Sequence, residues 1–318
     1  MKYLIIDSHK GSIKEPQNLH WLNAKKIKDF LIQSGHEADL IWSYPTVNDS
    51  IKSGYDRIIF NHASHYSYVD YAWLKASPEA KIFYISNEYN LGEPRALWIG
   101  IKEGRRYEVI SNHGPSISKI VEKYLNGWNF VNLNSLIFNP KEIIAEKQGC
   151  IYYGSFRKNR EPSFRKYLKG KVTVSTHQKN REKFNTIGVS GPFIDRINWS
   201  KEGLSNFQTS LYIEDEINHH NYNGLANRFY EALNYNVLTL FDYSCKNTIS
   251  MSGYDIPSYC IIDNEKELVG KTQFLLSEIK SYCLNSWKEK ALEESKEALT
   301  KILNCRIIST TVNTNKNK

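Results

Sequence analysis

Ile151-Tyr152-Tyr153-Gly154-Ser155-Phe156-Arg157-Lys158-Asn159-Arg160 reads as a buried strand that ends on a glycine and turns at once into a basic helix start. A glycine directly after a strand lets the backbone come close to a phosphate. A helix behind it presents free N–H groups and the positive end of its dipole. Arg157 and Arg160 add guanidinium groups that suit a diphosphate. A tight turn followed by a solvated basic face is the plainer alternative for the same residues.

The strand-then-helix rhythm extends in both directions from this stretch. Upstream, Tyr3-Leu4-Ile5-Ile6, Ala38 to Trp42, Arg57 to Phe60, Lys81 to Ile85 and Tyr107 to Ile110 are predicted strands. Leu19, Leu22, Ile27, Phe30, Leu31 and Ile32 carry helical spacing that stops at Gly35, and a second helix is predicted over 116–125. Downstream, Cys150 to Tyr153, Val172 to Ser175, Ser210 to Ile213, Val237 to Phe241 and Tyr259 to Ile262 are predicted strands. A helical segment follows over 265–303, read as two helices. Near-continuous apolar strands interleaved with helices predict an α/β fold of two Rossmann-like lobes, each a parallel sheet covered on both faces. The expected division is 1–145, then 149–303, then a polar tail at 304–318, with 140–148 as the linker. Ligands of such sheets bind beyond the carboxyl ends of the strands, so the loops there are where chemistry is to be sought.

Composition sets the outer limits. At 318 residues, 41% hydrophobic and 24% charged, the chain has room for two globular domains. No apolar run reaches the roughly 18–20 residues of a membrane span, and the N-terminal run is too short for a signal peptide. Cys150, Cys245, Cys260, Cys283 and Cys305 are widely spaced and form no Cys-x-x-Cys pair. Buried thiols in a reducing cytoplasm are therefore expected, not a disulfide framework or zinc site. A net charge of +8 is compatible with a polyanionic partner. The 21 tyrosines, 13 phenylalanines and 7 tryptophans offer rings for stacking on bases or sugars, or simply for a core. No Gly-x-Gly-x-x-Gly follows the first strand, which argues against a dehydrogenase.

A second constellation lies in Asn227-Arg228-Phe229-Tyr230-Glu231-Ala232-Leu233. On a helix Arg228 and Glu231 share a face, where the carboxylate can accept from two ribose hydroxyls and the arginine can reach a phosphate. A surface ion pair is the bland alternative. The polar run from Asp215 to Gly224 follows a strand directly, where a donor loop would be. His219 and His220 are adjacent without a spaced third ligand, so no metal site is expected.

Taken together and in order, these stretches resemble the DNA beta-glucosyltransferases of T-even-type phages, which modify 5-hydroxymethylcytosine using UDP-glucose. The likeness runs through Ile151 to Arg157, Arg160-Glu161, and Asn221-Tyr222-Asn223 ahead of Arg228-Phe229-Tyr230-Glu231. Tyr55 to Ile59 and Lys81 to Tyr84 resemble that family's earlier strands. The resemblance implies a GT-B fold with a cleft between its lobes, a UDP-sugar donor and double-stranded DNA containing hydroxymethylated cytosine as partner. It further implies that Arg157 and Arg160, beside Ser155, hold the donor diphosphate with support from Arg228. Glu231 would bind the ribose, and Gly191-Pro192-Phe193 would meet the uracil. The family's catalytic aspartate corresponds to Glu88, a carboxylate in the polar loop after a parallel strand. Such a group can take the proton of an attacking hydroxyl in an inverting single displacement.

Departures from the family's pattern are local. Arg157 and Arg160 stand one residue closer together, and Asn90 replaces an arginine after the base. Asn23 stands where the family has a glutamate on the donor sugar, flanked by His20 and Trp21. The donor is therefore expected to be UDP-glucose or a UDP-pentose such as UDP-arabinose. A divalent cation stays open as a companion of the donor, although no metal-ligand pattern calls for one. Lys102, Arg105 and Arg106 are candidate contacts to DNA phosphates, with a solvated cluster as the alternative. A monomer in the cytoplasm, the host's if the gene is a phage's, is the expected setting. A glycosyltransferase with a non-DNA acceptor and a non-catalytic DNA-binding protein are the competing readings.

Overall fold

The computed structural model describes residues 1–7, 19–42, 54–61, 75–86, 107–111, 129–130, 132–141, 147–197, 202–215, 224–275 and 277–304. They fall into two units: Met1–Ile137 with Glu294–Lys318, and Phe138–Glu293.

The first unit is built on six strands: β1 (Lys2–Asp7), β2 (Glu37–Trp42), β3 (Arg57–Asn61), β4 (Lys81–Ser86), β5 (Tyr107–Ser111) and β6 (Asn129–Phe130). Their order is β2-β1-β3-β4-β5-β6, and every neighbouring pair is parallel. Parallel neighbours need a crossover, and helix α1 (Leu19–Gln33) carries the chain back from β1 to β2. Its stripe of Ala24, Ile27 and Leu31 packs on Tyr3 and Ile5 of β1, Ile59 of β3 and Phe83 of β4. Leu4, Ile6, Ile58 and Phe60, on the alternate positions, are also buried. Burial on both faces is why these strands read as unbroken apolar runs. The helix stops at Gly35, whose φ of +80° suits a residue without a Cβ, while the His36 N–H closes back on the Leu31 carbonyl.

The second unit has β7 (Gln148–Tyr153), β8 (Val172–Thr176), β9 (Phe193–Asp195), β10 (Phe207–Tyr212), β11 (Leu238–Asp242) and β12 (Ile261–Ile262). The order is β12-β11-β10-β7-β8-β9, again parallel throughout. Its helices are α2 (Glu161–Tyr167), α3 (Gln178–Thr186), α4 (Asn227–Asn234), α5 (Lys246–Ser252), α6 (Glu265–Gln273) and α7 (Ser277–Asn304). Counted from β7, the strands run 3-2-1-4-5-6, the doubly wound order of dinucleotide-binding sheets.

Aromatic residues account for much of the packing on both sides of this sheet. Tyr152, Phe156, Phe164 and Phe184 meet edge to face, with Phe164 and Phe184 at 4.9 Å between centroids. Phe229, Phe241, Tyr254 and Trp287 form a second cluster. Cys150, Cys245, Cys260 and Cys283 are buried free thiols. Among the described residues no helix is long and apolar enough to cross a membrane.

The C-terminal region differs from the expected division. Helix α7 starts in the second unit, but its last three turns belong to the first, where Ala298, Leu299 and Ile302 join the core of Tyr3, Ile5 and α1. Arg57 donates to the Leu303 carbonyl and to the Tyr3 hydroxyl, both at 3.1 Å, which caps that helix end on the first sheet. A charge-mixed helical pattern carries no mark of which core its apolar stripe will enter. Ile302→Ala should therefore destabilise the first unit by about 2–5 kcal/mol, as cavity formation in a packed core does. Leu292→Ala, at an exposed position of the same helix, should stay within about 0.5 kcal/mol. Denaturant unfolding of both variants measures the contrast.

Candidate functional site

In the second sheet the chain turns in opposite directions after β7 and β10, so the crevice at their carboxyl ends is the topological switch point. Two turns meet there: Gly154-Ser155-Phe156-Arg157 after β7, and Ile213-Glu214-Asp215 after β10. The first is anchored to β8, because the Gly154 N–H donates to the Ser175 carbonyl and the Thr176 hydroxyl donates to the Gly154 carbonyl at 2.8 Å. A Cβ at 154 would sit 3.0 Å from the Tyr152 hydroxyl, so a side chain there would crowd the turn. That hydroxyl is itself buried without a hydrogen-bond partner.

Charge joins the two turns. Arg160 is buried and donates through Nε to Asp215 and through Nη2 to Glu214. Arg157 donates to the other Asp215 oxygen at 2.6 Å, yet 55% of its side chain is exposed. Burial pushes the Asp215 carboxyl up, but Arg160 and Arg157 outweigh burial and hold it below the usual carboxylate range. From α4, Arg228 donates to the Ile213 carbonyl, lies over the Tyr212 ring and stands 3.6 Å from Glu214. The Tyr153 hydroxyl donates to the Arg228 carbonyl. One turn further along α4, Glu231 is half-buried. Burial raises its carboxyl to about 7 against the opposing pull of Arg228, Tyr153 and Arg196.

The structure thus distinguishes two arginines that the sequence pattern treats alike. Arg160 is an internal tie between two carboxylates, whereas Arg157 presents its guanidinium to solvent. The helix behind the glycine also begins later than expected. Residues Lys158–Arg160 make a single 3-10 turn, and α2 opens on Glu161, which pairs with Arg165. An acid at its own N-terminus already complements the dipole of this seven-residue helix. What the turn offers at this edge is therefore side chains and not a free helix end.

Ser155 is exposed beside Arg157. Gly191 sits at φ +83°, and a Cβ there would meet the Phe193 amide nitrogen at 2.7 Å, so the tight turn into β9 requires glycine. Arg196, just past β9, meets the His177 Nε2 at 2.8 Å at the end of β8. Composition and motif did not single out Glu214, Tyr153, Arg196 or His177. The available signal was an acid pair directly after a predicted strand, at the same sheet edge as Arg157 and Arg160. In the first unit, Trp21 is half-buried and Asn23 fully buried on α1. Of His20 only its place in α1 is described. Glu88, Lys102, Arg105, Arg106, His219 and His220 lie outside the described residues, as does the helix expected over 116–125. Among the described residues no group of three or more His, Cys, Asp or Glu could hold a metal ion.

No protein-family model and no curated protein matches the chain. Solved structures do match in fold. An alpha-glucosyltransferase in complex with UDP and a 13-mer DNA containing a central A:G mismatch superposes with a TM-score of 0.54 at 12% identity, covering 95% of each chain. The chain has the fold of an alpha-glucosyltransferase. Such an enzyme in complex with UDP and DNA containing an HMU base gives 0.52 at 14% identity, covering 93% of this chain and 94% of that one. Another, with UDP-glucose and DNA containing an abasic site, gives 0.51 at 11%, covering 94% and 95%. The likeness is one of fold: two Rossmann-like units of the GT-B type. The sequence resemblance pointed to beta-glucosyltransferases, whereas these structural relatives are of the alpha type.

Two stability experiments follow from the geometry. Arg160→Met leaves Glu214 and Asp215 buried without their main cation and should cost about 3–5 kcal/mol. Arg157→Ala removes an exposed partner and should cost about 0.2–1 kcal/mol; equilibrium denaturation separates the two. Glu231 gives a pH signature of opposite sign to an ordinary ion-paired acid. In the folded chain it stays protonated up to about 7, while in the unfolded chain it ionises from 4.5. Stability therefore falls as pH rises through that window. Glu231→Gln removes this contribution, so the melting temperature of the variant should gain on wild type between about pH 4 and about pH 8.

Proposed function

We propose that the chain transfers a sugar from a UDP-sugar to 5-hydroxymethylcytosine in duplex DNA. The observation that carries this reading is the exposed Arg157 guanidinium at the switch point, beside the Arg228–Glu231 pair. The GT-B fold and the UDP and DNA complexes of the structural relatives support it.

Arg157 and Ser155 hold the diphosphate. Asp215 accepts from Arg157 at 2.6 Å, so a phosphate competes with a carboxylate for that guanidinium. Arg160 keeps Asp215 in place, and Arg228 supports the same turn through the Ile213 carbonyl. Glu231, once ionised, accepts from the ribose hydroxyls, and Gly191 leaves room for backbone contact with the base. As the bond from the anomeric carbon to the diphosphate oxygen breaks, negative charge grows on UDP, and Arg157 stabilises it. Glu88 takes the proton of the acceptor hydroxymethyl group, whose oxygen bonds to the anomeric carbon as UDP leaves with the electron pair. One such displacement inverts the anomeric centre. The target base leaves the stack to reach the site, and Lys102, Arg105 and Arg106 contact DNA phosphates. His20, Trp21 and Asn23 line the sugar end, where the departure from the beta-glucosyltransferase pattern favours a pentose such as arabinose over glucose.

Incubating hydroxymethylated duplex DNA with UDP-glucose, UDP-xylose and UDP-arabinose, then weighing the nucleosides, tests this directly. The expected result is a mass gain on hydroxymethylcytosine, fastest with a pentose donor. Arg157→Ala should weaken UDP binding by about 10- to 100-fold, the worth of a charge-assisted hydrogen bond, at nearly unchanged stability. DNA affinity should fall steeply with salt. No mass gain with any donor, together with undiminished UDP binding by Arg157→Ala, would refute the assignment. The product's anomeric configuration, read by NMR, decides the single displacement: retention of the donor's configuration would overturn that step while leaving sugar transfer standing.

A further inference from the structure

The amino edge of the second sheet, opposite its switch point, gathers charge of one sign. Lys147 directly precedes β7, and Asn236 lies between the end of α4 and the start of β11, so both stand at that edge. Lys147 Nζ donates to the Tyr235 carbonyl at 3.1 Å and to the Asn236 carbonyl at 2.5 Å. Lys288 of α7 donates to the Asn236 side-chain carbonyl. Two ammonium groups thus converge on the two carbonyl oxygens of one residue. The Asn236 amide donates to the Lys141 carbonyl at 3.3 Å, and Lys141 Nζ lies 5.1 Å from the centre of the Tyr235 ring. Lys280, about two turns before Lys288 on α7, completes the cluster. Burial pushes the Lys147 ammonium down to about 8, and the nearby charges of Lys280 and Lys288 push the same way. Burial lowers Lys280 and Lys288 as well.

Local structure accounts for part of this gathering. One cation is enough to cap the carbonyls that end α4, and Lys147 does so. Lys288 fixes the Asn236 side chain, whose residue is left-handed at φ +57°. Lys280 has neither task, although it is half-buried. Among the described residues no carboxylate bears on any of the three lysines. Half-buried cations of like sign raise one another's energy, so the cluster opposes folding until an anion arrives. An ammonium has three N–H donors. Lys147 uses two on carbonyls and Lys288 one, so donors remain free on every member of the cluster. A single exposed ion contact is too weak to hold a small anion on an open edge, whereas contacts that release counterions add up along a polymer. Lysine is depleted from protein–protein interfaces, and surfaces that bind nucleic acid are strongly positive.

We propose that Lys147, Lys280 and Lys288 form a nucleic-acid surface on the amino edge of the second unit, where they contact backbone phosphates of duplex DNA. The inference goes beyond the sugar-transfer reading, which assigns DNA contact to Lys102, Arg105 and Arg106, and it does not require sugar transfer.

Fluorescence anisotropy of a labelled duplex without hydroxymethylcytosine, titrated with the full chain over a range of salt concentrations, tests it. Lys280→Gln should weaken binding about 3- to 10-fold at low salt. It should also reduce the slope of log affinity against log salt by about one, and Lys280→Gln with Lys288→Gln by about two. Because the substitution relieves repulsion, Lys280→Gln should melt no lower than wild type, and its UDP affinity should stay within about twofold. An unchanged slope in both variants overturns the surface, as does failure of wild type to bind the duplex. A lower melting temperature of Lys280→Gln with a matching loss of UDP affinity marks a structural lysine and overturns it too. So does binding of polyglutamate with the same dependence on Lys280, which marks a surface for acidic protein. Sugar transfer is read separately, by the mass gain on hydroxymethylcytosine, so either reading can fail while the other stands.

Discussion

Arg160 lies inside the second unit between Glu214 and Asp215, and the arrangement of the candidate site depends on it. A buried guanidinium must be paired, as must a buried carboxylate, and each of these groups would be strongly unfavourable alone. Their mutual requirement ties the turn after β7 to the turn after β10 across the switch point. With that tie in place, Asp215 is ionised and oriented, and its second oxygen holds Arg157 near the surface. The Ile213 carbonyl is then presented to Arg228, which brings α4 and Glu231 to the same edge. One desolvated ion cluster thus positions the groups that face solvent.

A division of labour among like residues results. Arg160 carries structure, Arg157 is available to a ligand, and Arg228 links the two through backbone and Glu214. The acids divide similarly. Asp215 is held ionised by two guanidinium groups, whereas burial leaves Glu231 titrating near neutrality.

Much of the architecture was legible along the chain. Tyr3 to Ile6, Ile58 to Phe60 and Leu238 to Phe241 are strands buried on both faces, and such strands announce themselves as apolar runs. Short edge strands do not: β9 carries Phe193, Ile194 and Asp195, too few residues to show a pattern. Tyr259 and Cys260, read as strand, form a 3-10 turn before the two-residue β12. The aromatic excess was ambiguous in composition and resolves largely into core packing around Phe164, Phe184, Phe229 and Trp287. The glycine turn at 154 and the Arg228–Glu231 pair were visible because both are short-range: one strand end, and three residues on one helix.

By itself the sequence determined two parallel α/β sheets and the residue types gathered at the carboxyl edge of the second. Those properties follow from periodicity and from neighbours a few positions apart. Tertiary structure alone decided which arginine is buried, which carboxyl titrates near neutrality and which core receives the end of α7. Arg160 meets its acids 54 and 55 positions away, and Arg57 caps a helix end 246 positions away. Exposure and pKa are set by such distant partners through desolvation and charge, and no local pattern encodes them.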